Sequence, residues 1–103
     1  MQIDVANTKV LDIYHMLVGL VTPRPIAWVS TLSPEGKSNL APYSYFNAFS
    51  QDPHYVAFGS GPRKDSMRNI EETGEFTFSL ATFALREQMN ATSAHVTVDE
   101  FEL

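Results

Sequence analysis

The sequence contains no cysteine, which excludes disulfide bonds, thiolate metal sites and a cysteine nucleophile. Cations are scarce, since 7 Lys and Arg stand against 12 Asp and Glu and the formal net charge is −5. This acidic balance argues against a general nucleic-acid binder, which needs positive charge to displace counterions. The longest apolar run, 16–21, is far shorter than the ~20 residues of a membrane-spanning helix. We therefore expect neither nucleic acid nor a membrane as a partner.

The length of 103 residues fits one domain over 1–103. Hydrophobic residues make up 44% of the chain and charged residues 18%, so the chain can bury a core. The first ten residues lack the basic-then-apolar order of a secretory signal, and the expected location is the cytoplasm. Within the domain, 1–22 is predicted to form an irregular lead-in and a helix, and 23–94 to form the core of the functional site.

The hydrophobic pattern predicts four strands and three short helices. The predicted strands span 26–32, 38–46, 55–59 and 75–80, and the predicted helices span about 10–19, 66–73 and 83–89. Pro34 and Gly36 occupy the second and fourth positions of a type I turn, which makes the first two strands an antiparallel hairpin. Pro42 inside the second strand suits an edge strand or a bulge. The predicted fold class is mainly β with short helices (α+β).

The ends and faces of these elements give further expectations. Thr8 is predicted to cap the first helix and Asp65 or Ser66 the second, with Gly74 at the C-terminal end of the second helix. Leu11, Tyr14 and Val18 are predicted to share one face of the first helix, and Phe76, Phe78 and Leu80 to form a core stripe. Four strands are few for a closed barrel, and an open apolar edge invites pairing with another chain.

The segment 60–69 (SGPRKDSMRN) carries the clearest chemical signal. It places Arg63, Lys64 and Arg68 together in an acidic chain, at the predicted start of a helix. A helix N-terminus offers free N–H groups and the positive end of a dipole, so this arrangement suits a phosphate. An ordinary basic turn capped by Asp65 explains the same residues equally well.

Two other segments are candidates for binding a flat heterocycle. The segment 39–47 (NLAPYSYFN) combines three aromatic residues with two amides, which suits ring stacking and rim hydrogen bonds. The alternative is a core strand whose Tyr hydroxyls bond to the backbone, and that alternative is favoured when the segment is taken alone. In 23–25 two prolines hold one arginine, which suits an anion or a ring carbonyl but equally an exposed rigid turn. His15, His54 and His95 are scattered, which gives no zinc-site spacing.

Taken in order, the motifs resemble one family. PRPIAWVSTLSPEGKSNLAPYSYFNAFSQDP, K-D-S-x-R-N-I, ETGEF and MNATSA are similar to the flavin reductase-like, FMN-binding split-barrel proteins, including the flavoredoxins. The resemblance covers about 23–94. It implies a split β-barrel that dimerises, with FMN at or near the subunit interface, and it identifies this chain with the N-terminal half of that barrel.

The resemblance also implies the site residues. Those expected to line the flavin are Pro23, Arg24, Pro25, Ser30 and Thr31. Those expected to hold the isoalloxazine edge and ribityl chain, largely through backbone groups, are Asn39, Ala41, Ser44, Tyr45, Phe46 and Asn47. Those expected at the phosphate end are Ser60, Arg63, Lys64, Asp65 and Ser66, where Ser66 replaces the threonine common in the family. No catalytic side chain and no metal is implied.

The implied activity is that of an NAD(P)H-dependent flavin reductase, with a protein as a candidate electron acceptor. One alternative is a flavin-binding electron carrier without direct NAD(P)H activity. Another is a non-catalytic half-barrel module completed by another chain. Family members are about twice as long, so we expect a truncated product, one half of a longer protein or one part of a split protein. A homodimer or a second chain is expected to complete the barrel.

Overall fold

A computed structural model describes residues 2–93 as three helices, five strands and two 3-10 turns. The helices are α1 (Val10–Leu20), α2 (Asp65–Thr73) and α3 (Arg86–Ala91), and the 3-10 turns are Val5–Asn7 and Phe83–Leu85. The strands are β1 (Ala27–Leu32), β2 (Ser38–Tyr43), β3 (Phe46–Ser50), β4 (Tyr55–Phe58) and β5 (Thr77–Leu80). The predicted α+β class is confirmed. Residue 94, the last of the predicted core of the functional site, lies outside the described residues, as do 95–103.

Five antiparallel strands form two sheets. The larger sheet has the order β2-β1-β5, and β3 pairs with β4 in the smaller one. The predicted hairpin is confirmed, with β1 and β2 in register and the Gly36 N–H donating to the Ser33 carbonyl at 2.9 Å. Gly36 has a φ of +85°, which glycine adopts at little cost. Pro42 lies opposite Trp28 on β2, which is an edge strand as expected.

The predicted strand 38–46 is wrong, because the chain leaves the larger sheet after Tyr43. The Ser44 carbonyl accepts from Arg24 Nε at 3.1 Å, and the Tyr45 carbonyl accepts from the Gly59 N–H at 2.8 Å. These two bonds bend the chain at 44–45, and β3 then starts at residue 46 and pairs with β4. The bend separates one predicted strand into two strands in different sheets.

The N-terminal caps predicted for α1 and α2 are both wrong. Lys9, and not Thr8, precedes α1, and the Thr8 hydroxyl donates to the Asp4 carbonyl at 2.6 Å. Lys64 precedes α2 without a side-chain capping bond, so neither Asp65 nor Ser66 serves as its N-cap. At the other end Gly74 terminates α2 as predicted, in the left-handed conformation with a φ of +79°.

The core lies between the larger sheet and the β3-β4 pair. Its buried hydrophobic residues are Ala27, Val29, Tyr43 and Phe46. The Phe58 ring packs 4.6 Å from the Tyr43 ring and 5.2 Å from that of Phe76, measured between centroids. The predicted core stripe holds only for Phe76, since Phe78 and Leu80 are 41% and 60% exposed on the edge strand β5.

The helix α1 buries none of its residues, although it is rich in apolar side chains. Leu11 and Tyr14 of its predicted face are 61% and 48% exposed, and Val10 is 85% exposed. Large exposed apolar patches are typical of interaction sites. The association expected from the sequence stays a prediction. None of the helices in residues 2–93 is long and apolar enough to cross a membrane.

Candidate functional site

The 23–25 turn is organised around the side chain of Arg24. Its Nη1 atom donates to the Val21 and Val18 carbonyls at 3.1 and 3.4 Å, and its Nε atom donates to the Ser44 carbonyl. The guanidinium carbon also lies 5.2 Å from the centroid of the Tyr45 ring. Carbonyls at a helix C-terminus lack intrahelical partners, so a cation there is favourable. Arg24 therefore ties the end of α1 to the bend after β2, while its neighbours Pro23 and Pro25 are exposed.

The residues 44–47, called here the aromatic bend, present a mixed surface. Ser44, Tyr45 and Asn47 are exposed, whereas Phe46 is buried with its ring centroid 4.8 Å from that of Phe78. Asn47 Oδ1 accepts from the Ala48 N–H at 2.8 Å, which leaves the Asn47 amide N–H groups as donors. The groups of the bend that a ligand can contact are thus the Tyr45 ring face, the Ser44 hydroxyl and the Asn47 amide. The predicted residue Ala41 is half-buried and packs against the core.

The residues 60–66 are called here the cationic turn, and the residue before them, Gly59, is hydrogen-bonded to Tyr45 of the aromatic bend. The Ser60 hydroxyl donates to the Pro62 carbonyl at 2.9 Å and so holds the shape of the turn. Arg63 forms a two-bond ion pair with Glu71, eight residues along the chain. Lys64 is exposed and takes part in no ion pair among residues 2–93.

Asp65 and Arg68 form a second ion pair within α2, at the spacing i,i+3. Two of the three cations in the predicted phosphate segment are therefore bound to carboxylates of the same helix. Of these three cations, Lys64 is the one that forms no ion pair among residues 2–93, and it is therefore the most available to an anion.

The Arg63–Glu71 pair gives a pH-dependent prediction. The hydrogen bond from Arg63 holds the pKa of the Glu71 carboxyl below its ordinary value. Because the folded pKa is lower than the unfolded one, the pair stabilises the fold above the unfolded pKa, and this contribution is lost as pH falls through the folded pKa. In an Arg63→Ala variant the Glu71 pKa should return to its ordinary range, measured by NMR titration of the carboxyl carbon. An unchanged pKa would contradict the pairing.

Four polar side chains join α2 to the larger sheet, and they are called here the polar quartet. Asn69 Nδ2 donates to Thr31 Oγ1 at 3.0 Å, and Asn39 Nδ2 donates to Ser66 Oγ at 2.9 Å. Thr31, Ser66 and Asn69 are 4%, 1% and 4% exposed. Thr31, expected to line the flavin, and Ser66, expected at its phosphate end, are both buried and bonded between the helix and the strands, and their contact with a flavin stays a prediction.

Asn69 and Glu71 are the members of this region that the predicted site omits. Asparagine is a poor residue for a helix interior, because its amide competes for backbone hydrogen bonds. Its place three residues after Ser66, on the same helix face, is the signal that could have identified it. Glu71 carried no local signal, since its partner lies in the loop before the helix.

A cavity of about 230 Å³ opens beside the end of β1. Its lining residues are Ser30, Thr31, Leu32, Ser38, Glu75, Phe76 and Thr77. The predicted residues Ser30 and Thr31 belong to this cavity, whereas the aromatic bend and the cationic turn do not line it. Within residues 2–93, His, Asp and Glu side chains form no group of three or more that could hold a metal ion.

Hydrogen bonds bring the predicted segments together. Arg24 links 23–25 to the aromatic bend, and the Gly59–Tyr45 bond links the bend to the residue directly before the cationic turn. The polar quartet links the strands that carry Thr31 and Asn39 to the first turns of α2. Segments that are far apart in sequence thus form one continuous region.

Comparison with known proteins places this chain among longer relatives. The family described as "Flavin reductase like domain" matches residues 19–103. The uncharacterized protein YwrF of Bacillus subtilis (strain 168) is 43% identical over 106 residues, which cover 99% of this chain and 51% of YwrF. An uncharacterized protein of Aquifex aeolicus (strain VF5) is 35% identical over 99% of this chain and 56% of its own. The chain spans about half the length of these curated relatives.

Two solved structures are similar in fold. Nitrilotriacetate monooxygenase component B from Bacillus cereus superposes with a TM-score of 0.81 and 34% identity, over 94% of this chain and 50% of that one. The 2-nitrobenzoate 2-nitroreductase NbaA of Pseudomonas fluorescens gives a TM-score of 0.82 and 31% identity, over 97% of this chain and 51% of that one.

Proposed function

The chain belongs to the flavin reductase like domain family, and on that premise we propose that it binds FMN and serves NAD(P)H-dependent electron transfer. The observation that carries the proposal is the hydrogen bond from the Gly59 N–H to the Tyr45 carbonyl, which joins the aromatic bend to the residue directly before the cationic turn. One of these segments suits a flat ring and the other an anion. FMN joins these two chemical groups in one molecule.

The cationic turn fits the phosphate of FMN. No side chain caps α2, so the N–H groups of its first turn are available to an anion. Lys64 adds a positive charge at the same helix end, and charge-assisted hydrogen bonds of this kind stabilise by about 1.5–3 kcal/mol. In this assignment Lys64 and the backbone bind the phosphate, while Arg63 stays with Glu71 and Ser60 keeps the turn in shape.

The aromatic bend fits the isoalloxazine ring. The Tyr45 ring offers a face for stacking, and Ser44 and Asn47 offer a hydroxyl and an amide for the polar rim. Pro23 and Pro25 border the bend because Arg24 holds both segments together. In this proposal Arg24 supports the ring indirectly, by donating to the Ser44 carbonyl, and its guanidinium group does not bond to the flavin.

A bound flavin supplies two-electron transfer between a hydride donor such as NAD(P)H and an acceptor. The residues of this chain bind the ring, orient it through the aromatic bend and hold its phosphate at α2. None of these roles needs a general base, and we assign no side chain as an acid or base. The protein residues therefore act by binding and positioning the flavin.

The reductase assignment is tested by NADH oxidation. The purified chain is mixed with FMN and NADH, and the loss of NADH absorbance is followed against samples without protein and without FMN. The proposal predicts protein-dependent oxidation that rises with FMN concentration until it saturates. Saturable FMN binding without NADH or NADPH oxidation would contradict direct reductase activity and favour the electron carrier.

A flavin-binding electron carrier is the second candidate. Half of the relatives' length lies beyond this chain, and a carrier needs no nicotinamide site. The name of the Bacillus cereus neighbour, a monooxygenase component, favours a protein acceptor, whereas the name of NbaA favours a small nitroaromatic acceptor. Reduction of the bound FMN by a protein donor but not by NADH would identify a carrier.

The half-barrel is proposed to be completed by a second copy or by another chain. The exposed apolar residues of α1 support this association, and so does the outer edge of β5, which pairs with no further strand within residues 2–93. Light scattering of the purified chain gives its mass with and without FMN. A monomer that binds FMN would contradict completion by a second copy.

A further inference from the structure

Polar groups dock α2 onto the larger sheet. The buried residues of this helix are Ser66 and Asn69, and neither is apolar. They stand three positions apart and therefore lie on one helix face. Their partners, Asn39 and Thr31, lie directly opposite each other in the β1–β2 register. One helix face and one cross-strand pair are thus joined by two amide–hydroxyl bonds.

This arrangement fixes the helix more narrowly than apolar contact does. Hydrophobic burial has no direction, so a helix held by it alone tolerates small slides and rotations. Hydrogen bonds weaken steeply with misalignment. Because the two bonds reach two different strands, sliding or turning α2 would stretch at least one of them. The polar quartet therefore sets where the first turn of α2 lies relative to β1 and β2.

We propose that Asn69 and Asn39 are positioning residues that set the phosphate selectivity of the flavin site, by holding the first turn of α2 in place. The inference rests on the proposed function, since it concerns the FMN phosphate. Thr31 and Ser66 are the buried acceptors of the two amides, and in this proposal they act as anchors for α2. Lys64 and the backbone of α2 remain the groups that meet the phosphate.

The experiment compares two ligands that differ only in the phosphate. The Kd values of FMN and riboflavin are measured by fluorescence for wild type and Asn69→Ala. Misaligning one charge-assisted contact should raise the FMN Kd about tenfold, with the riboflavin Kd changing less than about twofold. Thr31→Val should act similarly, and Thr31→Ser, which keeps the hydroxyl acceptor, should retain the wild-type ratio of the two Kd values.

A double-mutant cycle separates positioning from direct contact. If Thr31 acts only as the partner of Asn69, Thr31→Val should cause no further loss of FMN affinity in the Asn69→Ala protein. An additional loss there would overturn the anchor role of Thr31. Asn39→Ala, with Ser66→Thr as its conservative companion, tests the other bond in the same way.

The outcomes distinguish this inference from the proposed function. Wild type that binds neither flavin defeats the proposed function and with it the inference. Wild type that prefers FMN, with Asn69→Ala and Asn39→Ala weakening both ligands equally, leaves the proposed function standing and defeats the inference. If Asn69→Ala does not fold, as judged by circular dichroism, the Thr31→Ser and Thr31→Val pair decides.

Discussion

The Lys64→Ala variant is expected to bind FMN about 10- to 100-fold more weakly than wild type, with riboflavin affinity changed less than about twofold. Lys64 is the exposed cation at the start of α2 that forms no ion pair among residues 2–93. Its loss removes charge where the phosphate is proposed to bind and alters nothing at the aromatic bend. Equilibrium titration followed by flavin fluorescence measures both Kd values.

Arg68→Ala is the matched control for that substitution. It removes one positive charge from the same helix, but Arg68 is paired with Asp65. We expect its FMN Kd to stay within about threefold of wild type, because exposed ion pairs contribute about 0–1 kcal/mol. Equal losses in the two variants would indicate a general charge effect and contradict a specific role for Lys64.

The Arg24→Ala variant is expected to lower the free energy of unfolding by about 2–3 kcal/mol, which is large for one partly exposed side chain. The substitution leaves the carbonyls of Val18, Val21 and Ser44 without their guanidinium donor. Urea unfolding followed by Trp28 fluorescence measures the loss. Arg24→Lys should recover less than half of it, because an ammonium group cannot span three separated carbonyls.

Arg86→Ala is the control for Arg24. Arg86 donates to one nearby carbonyl, that of Phe83, and stacks on the Phe83 ring. Its removal should cost about 1 kcal/mol or less. A similar loss at both positions would contradict the linking role of Arg24. Arg24→Ala should also weaken FMN and riboflavin together, unlike Lys64→Ala, because it acts on the aromatic bend.

The sequence predicted those features of the fold that are set by neighbouring residues. Gly36 and Pro34 define the hairpin turn, and Gly74 ends α2, because each acts through its own backbone conformation. The break after Tyr43 was not predicted, since it depends on Arg24, twenty residues before Ser44. A bond of that range leaves no periodic signal in the sequence.

In the candidate site, too, some features follow from the sequence and others depend on contacts between distant residues. The resemblance implies a set of site residues, some of which are linked by hydrogen bonds in the structure, but it does not separate ligand contacts from supports. The structure adds that Thr31 and Ser66 are buried and that Arg63 is paired with Glu71, and on these observations we propose that the three are supports. The burial depends on packing of α2 against the strands, and the ion pair depends on how the turn before α2 lies beside the helix. The spacing of Asn69 from Ser66 could have singled it out, but its role could be assigned only once its partner on β1 was known.

The most direct test of the account is an equilibrium titration of the purified 103-residue chain with FMN and with riboflavin. The account predicts saturable quenching of FMN fluorescence and a Kd for riboflavin about tenfold or more higher, since only FMN carries the phosphate that Lys64 and α2 are proposed to bind. Equal affinity for the two ligands would contradict the phosphate assignment. Absence of quenching by a folded sample would contradict flavin binding by this chain.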